Sequence, residues 1–150
     1  MRMSWVRSLL AAPFMRYVMK FFKKSYDGGP DSGVTGYWLI EIKPLFSIVL
    51  LKFNKGTRDA FHSHAFNAWT LWLKGEVKEH DMWLPPKIWK AGQFKYTPRN
   101  NMHMVEALTD TWALSIRGPW RDFWYEYKNG KFIEMTHGRK IVEVYDAYEK

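Results

Sequence analysis

The chain has 150 residues, 47% of them apolar and 18% aromatic, a formal net charge of +8 and no cysteine. That length supports one domain with a real core and leaves no room for a second. The missing thiols exclude disulfides, thiolate ligands and cysteine nucleophiles and fit a reducing, cytoplasmic setting, and no apolar run approaches the roughly 18 residues of a membrane span.

Before Asp27 every charge is basic: Arg2, Arg7, Arg16, Lys20, Lys23 and Lys24. Val6, Leu9, Leu10, Phe14, Tyr17, Val18, Phe21 and Phe22 recur among them at near-helical spacing, which predicts a basic amphipathic helix over residues 1–24, kinked or restarted at Pro13. Such a helix packs on the outside of a domain with its basic side chains solvated, or makes a weak membrane-surface contact, or serves as an organelle transit segment. A secretory signal is not expected, because Pro13 interrupts the apolar stretch. Nucleic acid is not an expected partner either, since the charge sits on one segment and is not interleaved with an aromatic sheet platform.

Residues 25–36 are rich in Gly, Pro, Asp and Ser and read as a loop. From residue 37 to residue 150 the chain reads as strands. Tyr37 to Lys43 and Phe46 to Phe53 flank Pro44; Ala60 to Leu73, Gly75 to Met82, Gln93 to Thr97, His103 to Ala107 and Thr111 to Arg117 follow, each bounded by turn residues. Asp122 to Tyr127 and Phe132 to Met135 flank Asn129-Gly130, a strong two-residue hairpin signal. Residues 142–150 fit a short helix or a terminal strand equally. Many short strands at regular spacing predict an all-β sandwich or barrel.

The chemistry lies in two stretches: Gly56, His62, His64 and Gly75, then Gly92, Pro98 and His103. Side chains on a strand alternate faces, so His62 and His64 point the same way, and His103 from another strand can complete a metal cluster. Neutral imidazoles without thiolates suit Fe(II), Zn(II), Ni(II), Cu(II) or Mn(II). Trp72 shares the parity of the two histidines and is expected to face the cavity, with Trp69 pointing outward. Tyr96, just before Pro98, is a candidate for the pocket wall. Arg58, Arg99 and Arg117 are candidate anchors for an anionic substrate, because guanidinium binds a carboxylate in a bidentate fork. Of the adjacent pair Glu79 and His80, only one can reach inward. No strong general base is evident inside the barrel.

These two stretches resemble the paired sequence motifs of the cupin superfamily. Five residues separate Gly56 from His62 and Gly92 from Pro98, and His64, Gly75 and His103 also fall at the motif spacings. Three positions depart: Ala68 stands for the usual glutamate ligand, Asn100 for the motif glycine and Ala107 for the closing asparagine. Asn100 is the mildest change, because asparagine tolerates the left-handed backbone of a glycine turn. The segment from Trp112 to Trp124 also resembles small, uncharacterised single-domain cupins found in bacteria and their phages.

The resemblance implies a cupin-type double-stranded β-helix (jelly-roll) barrel, a divalent metal ion held by His62, His64 and His103 without the glutamate, and a homodimer. Loss of the glutamate resembles the three-histidine subset of the family, in which dioxygenases are known, so a mononuclear Fe(II)-dependent oxygenase acting on a small anionic substrate is the first expectation. A non-catalytic metal or small-ligand binding module is the second.

Overall fold

A computed structural model describes residues 19–57 and 60–146, and every regular element in them is a β-strand. The first sheet runs in the order β1 (Met19–Tyr26), β2 (Val34–Ile42), β3 (Phe46–Phe53), β10 (Thr111–Arg117), β5 (Ala68–Lys74) and β8 (Phe94–Thr97). The second runs β13 (Lys140–Asp146), β12 (Lys131–Thr136), β11 (Trp124–Lys128), β4 (Phe61–His62), β9 (His103–Ala107), β6 (Glu76–Asp81) and β7 (Lys87–Lys90). Neighbouring strands pair antiparallel in both sheets.

Several boundaries differ from the sequence expectation. Residues 1–18 of the expected basic helix lie outside the described residues, and its last turn is not helix: Met19–Tyr26 pairs along its length with β2. Cross-strand pairing at the sheet edge overrides the helical spacing of Phe21 and Phe22. The loop is correspondingly shorter than 25–36, because Ser25 and Tyr26 belong to β1, while Val34 and Gly36 join the ladder opposite Phe53 and Leu51. The run from Ala60 to Leu73 is not one strand but two, β4 and β5, in different sheets. Residues 63–67 carry the chain across. Of the tail, residues 142–146 belong to strand β13, and residues 147–150 lie outside the described residues.

Turn chemistry fixes two of the connections. Asn129 and Gly130 both have positive φ, 53° and 73°, which suits the two-residue turn joining β11 to β12. Gly75, at φ 84°, could not carry a side chain, since a Cβ there would stand 2.5 Å from the Asp110 carbonyl oxygen. Asn100, by contrast, is not among the residues with positive φ, so it meets no glycine-like demand.

The interior face of the first sheet is built in rungs. Val34, Phe53 and Thr111 form one; Gly36, Leu51, Ala113 and Trp72 the next; Trp38, Val49, Ser115, Thr70 and Lys95 the third; Glu41, Ser47, Arg117, Ala68 and Thr97 the fourth. The core gathers at the apolar end, where Val34, Leu51, Phe53, Trp72 and Ala113 pack with Val77 and Ala107 of the second sheet. An extra residue in β2, between Trp38 and Ile40, lets both Trp38 and Glu41 face inward. On the outer face Trp69 packs against Phe94 and Tyr96, at ring separations of 5.5 and 4.5 Å.

Candidate metal centre

The three histidines come from one corner of the second sheet. His62 ends the two-residue strand β4 and pairs on one side with His103 of β9 and on the other with Glu126 of β11. His64 lies just past the strand, where its backbone N–H donates to the Arg99 carbonyl at 2.9 Å. Their potential ligand nitrogens all fall within 4.8 Å of one another, and the Nε2 atoms of His64 and His103 are 2.9 Å apart. Two nitrogens in neighbouring positions at about 2.1 Å from a common ion would be about 3 Å apart.

The other ring nitrogens of His62 and His103 are committed elsewhere. His62 Nδ1 donates to the Ala60 carbonyl at 2.8 Å, which fixes the tautomer because a carbonyl only accepts. His103 Nδ1 donates to Glu79 Oε1 at 2.6 Å, and the Trp89 indole holds the second Glu79 oxygen at 2.7 Å. Both Nε2 atoms are thereby left free, as a metal ligand requires. Lys95 completes the group through an ion pair with Glu79. Burial would raise the Glu79 carboxyl, yet its bond to His103 and the Lys95 charge outweigh that and hold it at about 2. Burial lowers the His103 imidazole to about 4 against the opposing pull of Glu79, and burial with the neighbouring His62 charge takes His64 well below its ordinary value. At neutral pH both rings are uncharged and carry a lone pair for a cation. The donor set therefore fits a divalent ion, with Ala68 presenting only a methyl group to the same cavity.

That cavity has a volume of about 540 Å³. Lys20, Lys43, Lys95, Arg117, Lys128 and Arg139 line it, against the acids Asp27, Glu41 and Glu126. Arg117 grips Asp27 with both terminal nitrogens, at 2.7 and 3.3 Å, and this pairing overcomes burial to keep the Asp27 carboxyl low. Arg139 reaches Glu126 at 2.6 Å; burial would raise that carboxyl, but Arg139 and Lys128 draw it down. The cations exceed the acids, so the field inside favours an anion.

Of the other residues expected at the site, Trp72 and Arg117 line the cavity, and Trp69 points outward. Arg58 lies outside the described residues. Tyr96 does not line the cavity: it is 45% exposed on the outer face beside Trp69, because Lys95 takes the inward position of that strand to meet Glu79. Arg99 does not line it either; its backbone N–H donates to the Asn67 side chain at 2.9 Å. Carboxylates do stand at the site: Glu41 and Glu126 face the cavity, and Glu79 lies behind His103. Between the adjacent pair, Glu79 reaches inward, while His80 pairs with Glu106 at 3.2 Å.

No protein-family model and no curated protein matches the chain. Solved structures do. A sugar phosphate isomerase of the cupin superfamily from Silicibacter pomeroyi is 12% identical, with a TM-score of 0.61 over 81% of this chain and 88% of that one. An RmlC-like cupin from Shewanella frigidimarina is 19% identical, with a TM-score of 0.56 over 69% and 96%. KdgF from a Halomonas species is 20% identical, with a TM-score of 0.54 over 68% and 96%. Two facing antiparallel sheets and this set of structural likenesses together give the chain the cupin fold.

Proposed function

We propose that this chain is a metal-binding cupin in which His62, His64 and His103 hold one divalent ion, beside which a small organic anion binds, and that its reaction is an Fe(II)-dependent oxygenation. The observation that carries this reading is the convergence of three imidazoles, with no carboxylate among them, on a cavity lined by an excess of cations. A divalent ion held there would supply Lewis acidity and, as Fe(II), redox chemistry toward dioxygen. Three protein ligands leave coordination positions free for substrate.

The chain's own groups have separate tasks. Glu79 orients His103 and fixes its tautomer, and Lys95 balances the charge of Glu79. Arg117 and Arg139 attract the anion. Trp72 and Phe53 close the apolar end against water. Glu126, the ladder neighbour of His62, favours a second reading in which the substrate loses a proton to this carboxylate, a role in keeping with the structural likeness to a sugar phosphate isomerase. Its lowered pKa makes it a weak base, which places this reading second. Exposed Trp69, Phe94, Tyr96 and Ile116 on the outer face support a homodimer, which sedimentation would test.

Elemental analysis of the protein as purified, followed by dioxygen uptake after anaerobic Fe(II) loading in the presence of small carboxylates and thiols, tests the proposal. Near-stoichiometric iron and substrate-stimulated uptake are expected, with both lost in His103→Ala. Tightly bound zinc without oxygen uptake would turn the reading to a binding module or to the proton-transfer chemistry. Wild-type protein that takes up no divalent ion would end it.

A further inference from the structure

The fourth rung of the first sheet holds buried polar atoms that the metal site does not use. Glu41, Ser47 and Arg117 are side-by-side neighbours on β2, β3 and β10, exposed by 1%, 0% and 5% respectively. Glu41 Oε1, Ser47 Oγ and Arg117 Nε have no hydrogen-bond partner among the described residues. Glu41 and Arg117 line the cavity, and Ser47 lies between them in the ladder. The remaining Arg117 nitrogens are taken by Asp27, and Lys20 stands 3.6 Å from Glu41 Oε1, beyond hydrogen-bond reach. Unpartnered buried polar atoms are costly, so a rung carrying three is built for something that satisfies them.

The chemistry of the rung narrows what that is. A carboxylate or phosphate would suit Arg117 but would face the Glu41 carboxylate. An ammonium group would suit Glu41 but would meet the charges of Arg117 and Lys20. An apolar group would leave all three atoms unpaired. A hydroxyl both donates and accepts: it can give its proton to Glu41 Oε1 and receive one from Arg117 Nε. Glu41 and Arg117 are two strands apart, about 10 Å between Cα atoms, which suits several hydroxyls in a row better than one. The unpartnered indole N–H groups of Trp72 and Trp120, both on the cavity wall, add donors for further oxygens. The rung also adjoins the metal centre. The Arg117 guanidinium lies 4.6 Å from the centre of the Phe66 ring, and the His64 ring stacks on Phe66 at 5.0 Å.

We infer that the Glu41–Ser47–Arg117 rung is a hydroxyl-binding subsite that takes the polyol portion of a small hydroxylated acid. This rests on the small-anion reading above and names the substrate class: an acid whose carbon chain carries several hydroxyls.

Isothermal titration calorimetry of the metal-free protein with D-gluconate and with hexanoate, two six-carbon acids that differ in their hydroxyls, tests it. D-gluconate is expected to bind at least tenfold more tightly than hexanoate. Glu41→Met should remove that preference, with hexanoate bound at least as tightly as before because the opposing carboxylate is gone, and Glu41→Gln, which keeps an acceptor oxygen, should retain most of it. Gluconate binding no tighter than hexanoate binding in the wild type, or a preference that survives Glu41→Met, would overturn the inference. Should Glu41→Met fail to fold, Glu41→Ala serves instead, with a preference reduced at least threefold supporting the subsite and an unchanged one overturning it. A separate titration with Ni(II) alone reports on the metal site, so absent Ni(II) binding would overturn the metal reading and leave the gluconate preference to carry the subsite.

Discussion

The two ends of the barrel interior share the four strands β2, β3, β10 and β5, yet they hold opposite chemistry. At one end the rungs of Val34 and Phe53, and of Leu51, Ala113 and Trp72, close over Val77 and Ala107. At the other, the same strands present Glu41, Ser47 and Arg117, with Ala68 as the lone apolar member, and β8 adds Thr97. An antiparallel sheet with one buried face ordinarily alternates apolar in and polar out. Here the inward positions are mostly apolar at the closed end and mostly polar at the open end, where the outer positions Trp69, Tyr96 and Ile116 are the apolar ones. The closed end supplies cohesion, and the open end holds polar groups that cohesion does not require.

Substitutions that attack one end at a time test that division. Trp72→Ala, at the closed end, should cost about 3–5 kcal/mol in denaturant unfolding, through lost burial and the cavity left against Phe53; a cost below about 1 kcal/mol would remove the distinction. Acid should act at the other end. His103 titrates at about 4 when folded, against about 6.5 unfolded. Between those values the unfolded chain binds a proton that the folded one refuses, so stability rises with pH across this window and is fully present above it. Glu79, held at about 2, is lost in the same direction below pH 4.5. The metal-free protein should therefore lose about 3 kcal/mol on acidification from pH 6.5 to 4, at about 1.4 kcal/mol per unit. A stability flat across this range, followed by chemical denaturation at each pH, would show that His103 is not buried neutral.

Smaller effects sharpen the comparison. Glu79→Gln should weaken metal binding by about ten- to a hundredfold in competition with a chelator, because His103 loses the carboxylate that orients it. An unchanged affinity would assign Glu79 to Lys95 alone. Thr97→Val, a near-isosteric change at the open end, should alter stability by less than about 1 kcal/mol, and a larger loss would mean that this end also serves cohesion.

Much of this was legible in the sequence, for identifiable reasons. His62, His64 and His103 stand at two independent spacings, and the structure brings them together even though His64 has left the strand. Trp72 and Trp69 obey simple alternation, and Asn129-Gly130 forms its hairpin. What escaped depended on contacts between distant strands. Alternation admits Lys95 or Tyr96 as the inward residue, and ordinary preference would bury the tyrosine. The lysine wins because Glu79, from the facing sheet, is there to pair with it. Glu41 was hidden by the extra residue after Trp38, which shifts the parity of the rest of β2. The helical pattern before Tyr26 is real as a spacing, but β2 offers its end a partner strand.

Trp89 would set a clock on an ion held by the three histidines. It belongs to β7, an edge strand that among the described residues pairs only with β6, and its indole holds the Glu79 oxygen opposite the one that holds His103. Each fraying of β7 frees that oxygen, and Glu79 can then swing away from His103. The residence time of a bound ion is thereby tied to the opening of a surface strand, so metal release should keep pace with amide exchange at Ile88 and Trp89 and should quicken in Trp89→Phe without a change in the ligands themselves.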